Sequence, residues 1–169
     1  VVWWRAQGGT ALSAGEVGEG YRDTDDPAIT VRLPLDDASK AKLKVAGKTA
    51  SLLIWTTTPW TLSSNCAACV GADIDYALVR LEDDKGQEEY LVLAEPLVKA
   101  NLGEGTEICR TFTGAELLGL QYLPLFHYDT PVDVVSGQPS KKHWTIIAGD
   151  FVDLTTGTGI VHIAPAFGE

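Results

Sequence analysis

Methionine is absent from this sequence, and cysteine occurs only at Cys66, Cys69 and Cys109. Translation starts on methionine, so a chain opening at Val1 is expected to be a processed form or an excised piece of a larger protein. An odd, small number of cysteines points to a reducing compartment rather than a disulfide framework. Long apolar runs are also missing. None approaches the roughly 20 residues of a membrane helix, and no basic segment followed by an apolar stretch marks a signal peptide. Basic residues are scarce, with 13 Lys and Arg against 23 Asp and Glu for a net charge of -10. That balance argues against nucleic-acid binding through bulk charge, which needs clustered Lys and Arg. It leaves room for nucleic acid delivered by other parts of a larger protein. What remains is ordinary globular composition, 45% hydrophobic and 21% charged over 169 residues, enough for one domain spanning 1–169. The 17 glycines and 8 prolines imply many turns between short elements.

The chain reads as short strands separated by turns. Residues 1–4 are a short apolar run closed by Gly8 and Gly9, and residues 28–33 alternate up to Pro34. Residues 36–48, with Lys40, Lys42, Lys44 and Lys48, read as a solvated turn. Residues 51–58 form a buried strand stopped by Pro59, and residues 66–70 an apolar strand ended by Gly71. Residues 76–81 and 89–93 flank an acidic turn with Lys85 and Gly86, which predicts a hairpin. Residues 95–101 predict a short helix with Gly103 past its end, and residues 114–118 one helical turn. Residues 107–112, 144–148 and 159–164 complete the strands. No repeat or linker splits the chain. Many closely spaced short strands predict a mostly β fold, a closed β-barrel core with short peripheral helices.

Two strings stand out. In the first, Trp55-Thr56-Thr57-Thr58-Pro59-Trp60-Thr61, strand alternation puts Thr56 and Thr58 on one face and Thr57 on the other. Such hydroxyls can line a polar pocket mouth, although strand propensity alone also explains a run of threonine. In the second, residues 157–165, Gly157 and Gly159 permit a tight turn or close backbone approach. There alternation pairs Ile160 with His162 and Val161 with Ile163. A histidine in an apolar strand either faces a cavity, where it can exchange a proton, or is a satisfied core residue. Gly157-x-Gly159 lacks the third glycine and the helix of a dinucleotide site. Cys66 and Cys69 have CxxC spacing, but zinc needs a second pair, and buried small side chains are the better reading. Lys141-Lys142-His143 reads as a solvated loop tip, and Asp23, Asp25 and Asp26 as a charged turn rather than a magnesium site. No nucleophile elbow or metalloprotease motif is present.

Taken together, the two strings resemble one family. Thr56-Thr57-Thr58-Pro59-Trp60-Thr61-Leu62 followed by Asn65 resembles the threonine-rich motif of the isoleucyl-tRNA synthetases. Residues 157–168, Gly157-Thr158-Gly159 through His162 to Gly168, resemble their second editing motif. Thr10-Ala11-Leu12-Ser13 with Glu16-Val17 resembles the start of the same domain. The related valyl and leucyl enzymes usually carry Arg after two threonines, then Pro and an acidic residue. Thr58 and Trp60 stand in those places here. The resemblance implies the inserted editing domain of a class I synthetase, without its synthetic site. It implies hydrolysis of valine misattached to isoleucine tRNA, and of valyl-adenylate. Valyl-tRNA, valyl-adenylate and the remainder of the synthetase are the implied partners, with no membrane, in a cytoplasmic monomer. It implies no cofactor in this domain, ATP being used by the synthetic one. An editing domain for threonyl esters and a module that binds the aminoacyl end without turnover are the rival readings. The net charge suggests weak tRNA affinity for the domain alone.

Residue by residue, the resemblance places Thr58 and Asn65 near the scissile ester. His162 would sit against the valyl side chain or the ester, and these three form the implied catalytic set. Thr56, Thr57, Trp60, Thr61, Gly157, Thr158 and Gly159 would bind substrate. The attacking water would be positioned by the site and by a ribose hydroxyl, consistent with the missing nucleophile. There are three departures. The aspartate that the family uses for the substrate ammonium falls beyond Glu169. Ser63 replaces a usual proline. Arg5 and Gly8 lie where some relatives carry zinc-binding cysteines, so no zinc is expected.

Overall fold

The computed structural model describes residues 2–22, 25, 27–82, 85–126, 132, 135–138, 140 and 142–165. The chain begins with a hairpin, β1 (Trp3–Arg5) against β2 (Thr10–Leu12). Helix α1 (Ala14–Glu19) follows, opened by a capping box in which Ser13 and Glu16 satisfy each other's backbone N–H groups. Next come β3 (Ile29–Pro34), α2 (Asp37–Lys42) and β4 (Thr49–Thr56). After a 3₁₀ segment over Pro59–Ser64 the chain forms β5 (Ala67–Val70), β6 (Asp75–Glu82) and β7 (Glu88–Ala94). The remaining elements are α3 (Val98–Leu102), β8 (Glu107–Thr113), α4 (Gly114–Leu117), β9 (Thr145–Ala148) and β10 (Val161–Ile163). The protein is mostly β with short helices. Among the described residues the ladders form two larger sheets, β3-β4-β7-β6-β8 and β10-β5-β9.

Strand alternation explains the packing. Residues 52 and 54 of β4, 76 and 78 of β6, and 92 and 94 of β7 point from the larger sheet into the main core. There they meet Ala68 and Val70 of β5, Ile146 of β9 and Ile160. The odd-numbered neighbours Leu53, Ala77, Val79, Leu91 and Leu93 form a second cluster on the other face, covered by Val98 with Leu102 packed against it. β4 is therefore buried on both faces and pairs in parallel with β7, which is why Leu52-Leu53-Ile54 reads as an unbroken apolar run. The sheets are joined along a seam at residues 120–123. Leu123 N–H donates to Pro34 O at 2.7 Å on one side, and Tyr122 N–H to Trp144 O at 2.9 Å on the other.

The polar stretch 36–48 is not a solvated turn. Asp36 caps α2 by accepting from Ser39 N–H at 2.8 Å, Lys40 and Lys42 lie in the last turn where the helix dipole favours cations, and Leu43 and Val45 are buried behind it. A helix of six residues carries too little periodicity to stand out among lysines. The threonine strand also ends earlier than alternation implies, at Thr56. The hairpin β6–β7, the helix ended by Gly103 and the turn at Gly114 fall where the pattern placed them. Among the described residues no helix is long and apolar enough to cross a membrane.

Tyr76 holds the two sheets together from inside. It is fully buried, accepts from Gly71 N–H at 3.0 Å and donates to Gly159 O at 2.8 Å. Tyr76→Phe leaves two buried backbone groups unmet, at about 1–3 kcal/mol for each such group, and chemical denaturation should show the loss. Burial pushes the Tyr76 hydroxyl up to about 12. Its contribution to stability is therefore present below the unfolded-state value of about 10 and is lost as pH rises toward the folded one. Tyr76→Phe should flatten that alkaline limb.

Candidate functional site

A cavity of about 440 Å³ opens where the C-terminal end of β4 meets β10. One wall is Trp55, Thr56, Thr57, Thr58 and Thr61, and the other is Val161, His162, Ile163, Ala164 and Pro165, with Phe151 at the side. Thr56 is buried, whereas Thr57 and Thr58 are exposed. Thr56 and Thr58 do come together, but through a turn rather than strand alternation. Thr58 N–H donates to Thr56 Oγ1 at 3.0 Å, and the two hydroxyls lie 3.2 Å apart. This side chain to backbone bond turns the chain out of β4, and Pro59 then starts the 3₁₀ segment, whose missing N–H costs nothing there.

That segment carries Thr61 and delivers Asn65 behind the cavity. Thr61 Oγ1 donates to Thr58 O at 2.8 Å and lies 2.7 Å from His162 Nε2. A threonine hydroxyl has one proton, and the Thr58 carbonyl takes it. With its proton so used, Thr61 accepts at the histidine, an arrangement that favours a hydrogen on His162 Nε2. On the other side of the ring, Asn65 Nδ2 is 3.3 Å from His162 Nδ1. The same amide nitrogen donates to Ala67 O at 3.0 Å, and Asn65 Oδ1 accepts from Tyr122 Oη at 2.6 Å.

Burial holds the His162 imidazole below its ordinary value, and both ring nitrogens are engaged. The ring is neutral near pH 7 and its one lone pair faces an amide, so it is poorly placed to take a proton from water. A lowered histidine gives stability that is intact above the unfolded-state value of about 6.5 and is lost as pH falls below it. Thermal unfolding of the wild type should therefore drop more steeply on acidification than that of His162→Gln.

The resemblance gives the glycine motif to substrate binding, and the structure sets it beside the cavity. Neither Gly157, Thr158 nor Gly159 lines the cavity. Each of their carbonyls is tied to the large-sheet side: Gly157 O accepts from Asn101 Nδ2 at 2.8 Å, Thr158 O from Ala94 N–H at 2.9 Å, and Gly159 O from Tyr76 Oη at 2.8 Å. Gly157, at φ +77°, lets the Trp55 ring lie against the backbone, its Cε3 3.0 Å from where a Cβ would stand. The motif is a clamp that carries β10 back across β4 and so sets His162 opposite the threonines. Thr158 is buried with its hydroxyl unpartnered.

Trp60 also lies outside the cavity, 69% exposed on the 3₁₀ segment. Asn65 is not a wall residue and stands one contact behind, against His162. Motif reading included Trp55 without giving it a role, and it did not mark Phe151 or Tyr122. Trp55 had a signal, adjacency to the threonines, whereas Phe151 and Tyr122 are brought in by chain reversals that no local pattern encodes. Cys69 is fully buried, and burial pushes its thiol up; Cys66 donates to Ser64 O at 3.3 Å. Among the described residues no three of His, Cys, Asp and Glu gather as metal ligands would. Asp25 and Lys142 are exposed, while Asp23, Asp26, Lys141 and residues 166–169 lie outside the described residues.

No family model matches the chain. The solved editing domain of the P. knowlesi cytosolic leucyl-tRNA synthetase superposes with a TM-score of 0.57 at 13% identity, over 81% of this chain and 58% of that one. That of P. falciparum gives 0.56 at 12% identity, over 83% and 61%. The fold is that of a synthetase editing domain. The sequence carries the assignment further. Isoleucine–tRNA ligase of Thermus thermophilus is 43% identical over 160 residues, 95% of this chain. The Streptomyces avermitilis ligase is 41% identical over an alignment of 170 positions that takes in all of this chain, and that of Chlamydia pneumoniae 39% over 163. The chain belongs to the isoleucine–tRNA ligases as their editing domain, spanning about 14% of the length of those relatives.

Proposed function

We propose that this domain hydrolyses valine wrongly joined to isoleucine tRNA, and valyl-adenylate with it, by water attack in a size-excluding pocket. The observation that carries the reading is the cavity itself, with threonine hydroxyls on one wall and an apolar β10 wall carrying His162 on the other. Hydroxyls and backbone groups of Thr56, Thr57 and Thr58 hold the ester end and orient the water. Thr61 and Asn65 fix His162, whose ring limits the room for the amino-acid side chain. His162 acts as a wall rather than a general base, because its lone pair is already engaged. Catalysis then rests on positioning and polarisation, with a ribose hydroxyl of the substrate assisting the water. The ladders of the described residues stay in separate sheets; in this reading they close into one barrel, and the support for it is the hydrogen-bonded seam at residues 120–123 that joins them.

The chemical need is discrimination. One methylene is worth only about 1–3 kcal/mol to a synthetic pocket, a limit for which this enzyme class is itself the standing example. A second pocket that admits valine and excludes isoleucine supplies the rest. In this reading the domain works within a cytoplasmic, monomeric synthetase, needs no cofactor of its own, and leaves ATP to the synthetic site. The test is single-turnover deacylation of valyl- and isoleucyl-esters, both on isoleucine tRNA. Valyl ester should disappear at least about tenfold faster. Cleavage of threonyl but not valyl ester would move the pocket to the valyl enzyme's specificity. Binding of a non-hydrolysable valyl-adenosine analogue with no turnover would make it a holding module.

A further inference from the structure

The hydrogen bonds behind His162 lead to a residue that neither motif contains. We propose that Tyr122 is a positioning residue for the site, acting through the Asn65 amide to hold His162 with its proton on Nε2. The functional weight of this inference rests on the hydrolytic reading above, but its structural content does not.

The argument is one of donors and acceptors. The Ala67 carbonyl can only accept, so at 3.0 Å it requires the NH2 end of the Asn65 amide. That leaves Asn65 Oδ1 facing Tyr122, whose hydroxyl donates to it at 2.6 Å. With both ends of the amide fixed, the second N–H hydrogen is available to His162 Nδ1 at 3.3 Å. An amide N–H opposite Nδ1 requires a bare lone pair there, and the ring hydrogen is then on Nε2, against Thr61 Oγ1 at 2.7 Å. The chain of donors runs from Tyr122 through Asn65, His162 and Thr61 to the Thr58 carbonyl. A proton on Nδ1 would place two donors face to face, so the same network opposes both the other tautomer and the charged ring.

Tyr122 is suited to this by its place in the fold. It is 2% exposed and lies on the seam joining the two sheets, where it bridges to Leu35 and its N–H donates to Trp144 O. Its hydroxyl therefore reaches the site from backbone anchored on both sides. Of the contacts in the chain, that between Asn65 and His162 is the longest. It should fail first when the amide loses its anchor at Oδ1.

The experiment is long-range proton–nitrogen NMR of the imidazoles in the full chain labelled with ¹⁵N-histidine. The sequence has three histidines, and His162→Gln identifies the one of interest. The wild type should show a single Nε2–H tautomer. Tyr122→Phe should move both nitrogen signals toward an averaged pattern while the other histidines stay put. Asn65→Ala should do the same, with the double variant adding nothing further. In single-turnover deacylation, Tyr122→Phe should lower the valyl-to-isoleucyl rate ratio by up to about tenfold through a rise in isoleucyl hydrolysis, because a ring no longer held by Asn65 limits the room less. A wild-type spectrum with the proton on Nδ1 overturns the proposal without recourse to any variant, so a failure of Tyr122→Phe to fold does not shield it. Retention of the wild-type tautomer in a folded Tyr122→Phe overturns it equally. If the tautomer responds but no ester is cleaved by any form, the hydrolytic reading fails and the positioning role stands. If valyl ester is cleaved but the tautomer does not respond, the positioning role fails and the hydrolytic reading stands.

Discussion

His162→Ala is expected to let isoleucyl ester into the pocket. The ring lines the cavity from β10, 2.7 Å from Thr61, and in the proposed reading it is the group that an added methylene would meet. Removing it opens that wall while leaving the threonine wall and its turn in place, since the bond from Thr61 to Thr58 O does not involve the ring. A methylene is worth about 10–200-fold in such a pocket, so the valyl-to-isoleucyl rate ratio should fall by at least about tenfold. The fall should come from a rise in isoleucyl hydrolysis. If instead both rates drop together and the ratio holds, His162 acts on the ester chemistry and the sieve lies elsewhere. Single-turnover rates on the two esters separate these outcomes.

Gly159→Ala is expected to be the most damaging small change to the fold near the site. Gly159 has φ +71°, a conformation that costs an L-residue about 1–2 kcal/mol. Its Cβ would also be driven into the Ala94 Cβ, inside contact distance, with Leu154 Cδ2 3.2 Å away. Overpacking of a filled core typically adds about 1–3 kcal/mol. A total near 3 kcal/mol should lower Tm by roughly 6–12 °C for a chain of this size. Gly105→Ala is the control. It shares the positive φ, at +82°, but nothing lies within 4 Å of its Cβ direction. It should show only the backbone cost of about 1–2 kcal/mol. Equal losses at the two positions would mean that contact with Ala94 contributes nothing. The same substitution should reduce ester hydrolysis in the protein that remains folded, because Gly159 anchors the turn from which β10 and His162 depart.

Much of the fold was legible in local pattern. Alternation and punctuation marked β3, the β6–β7 hairpin, β8 and the helix ended by Gly103, because each is bounded by residues with a local reason to stop. Helix α2 was not, since a capped six-residue turn with lysines outward looks like a loop until Leu43 and Val45 are seen to be buried. At the site, the threonine string and His162 were visible as motifs, and they do meet across one cavity. The manner of meeting was not visible. Thr56 and Thr58 are joined by a hydrogen-bonded turn, and the glycine motif stands off the cavity wall, where its carbonyls clamp the approach to β10.

The division has a physical basis. Strand period, turn residues and caps depend on interactions over a few positions, so the order of residues settles them, along with the kinship that the two motifs carry. Which side chains share the cavity depends on contacts such as Thr61 with His162 and Tyr122 with Asn65, 101 and 57 residues apart. No local preference encodes those pairs. They arise because the core and the 120–123 seam bring the two sheets together, and the proton on His162 is placed by hydrogen bonds that exist only after that packing has formed.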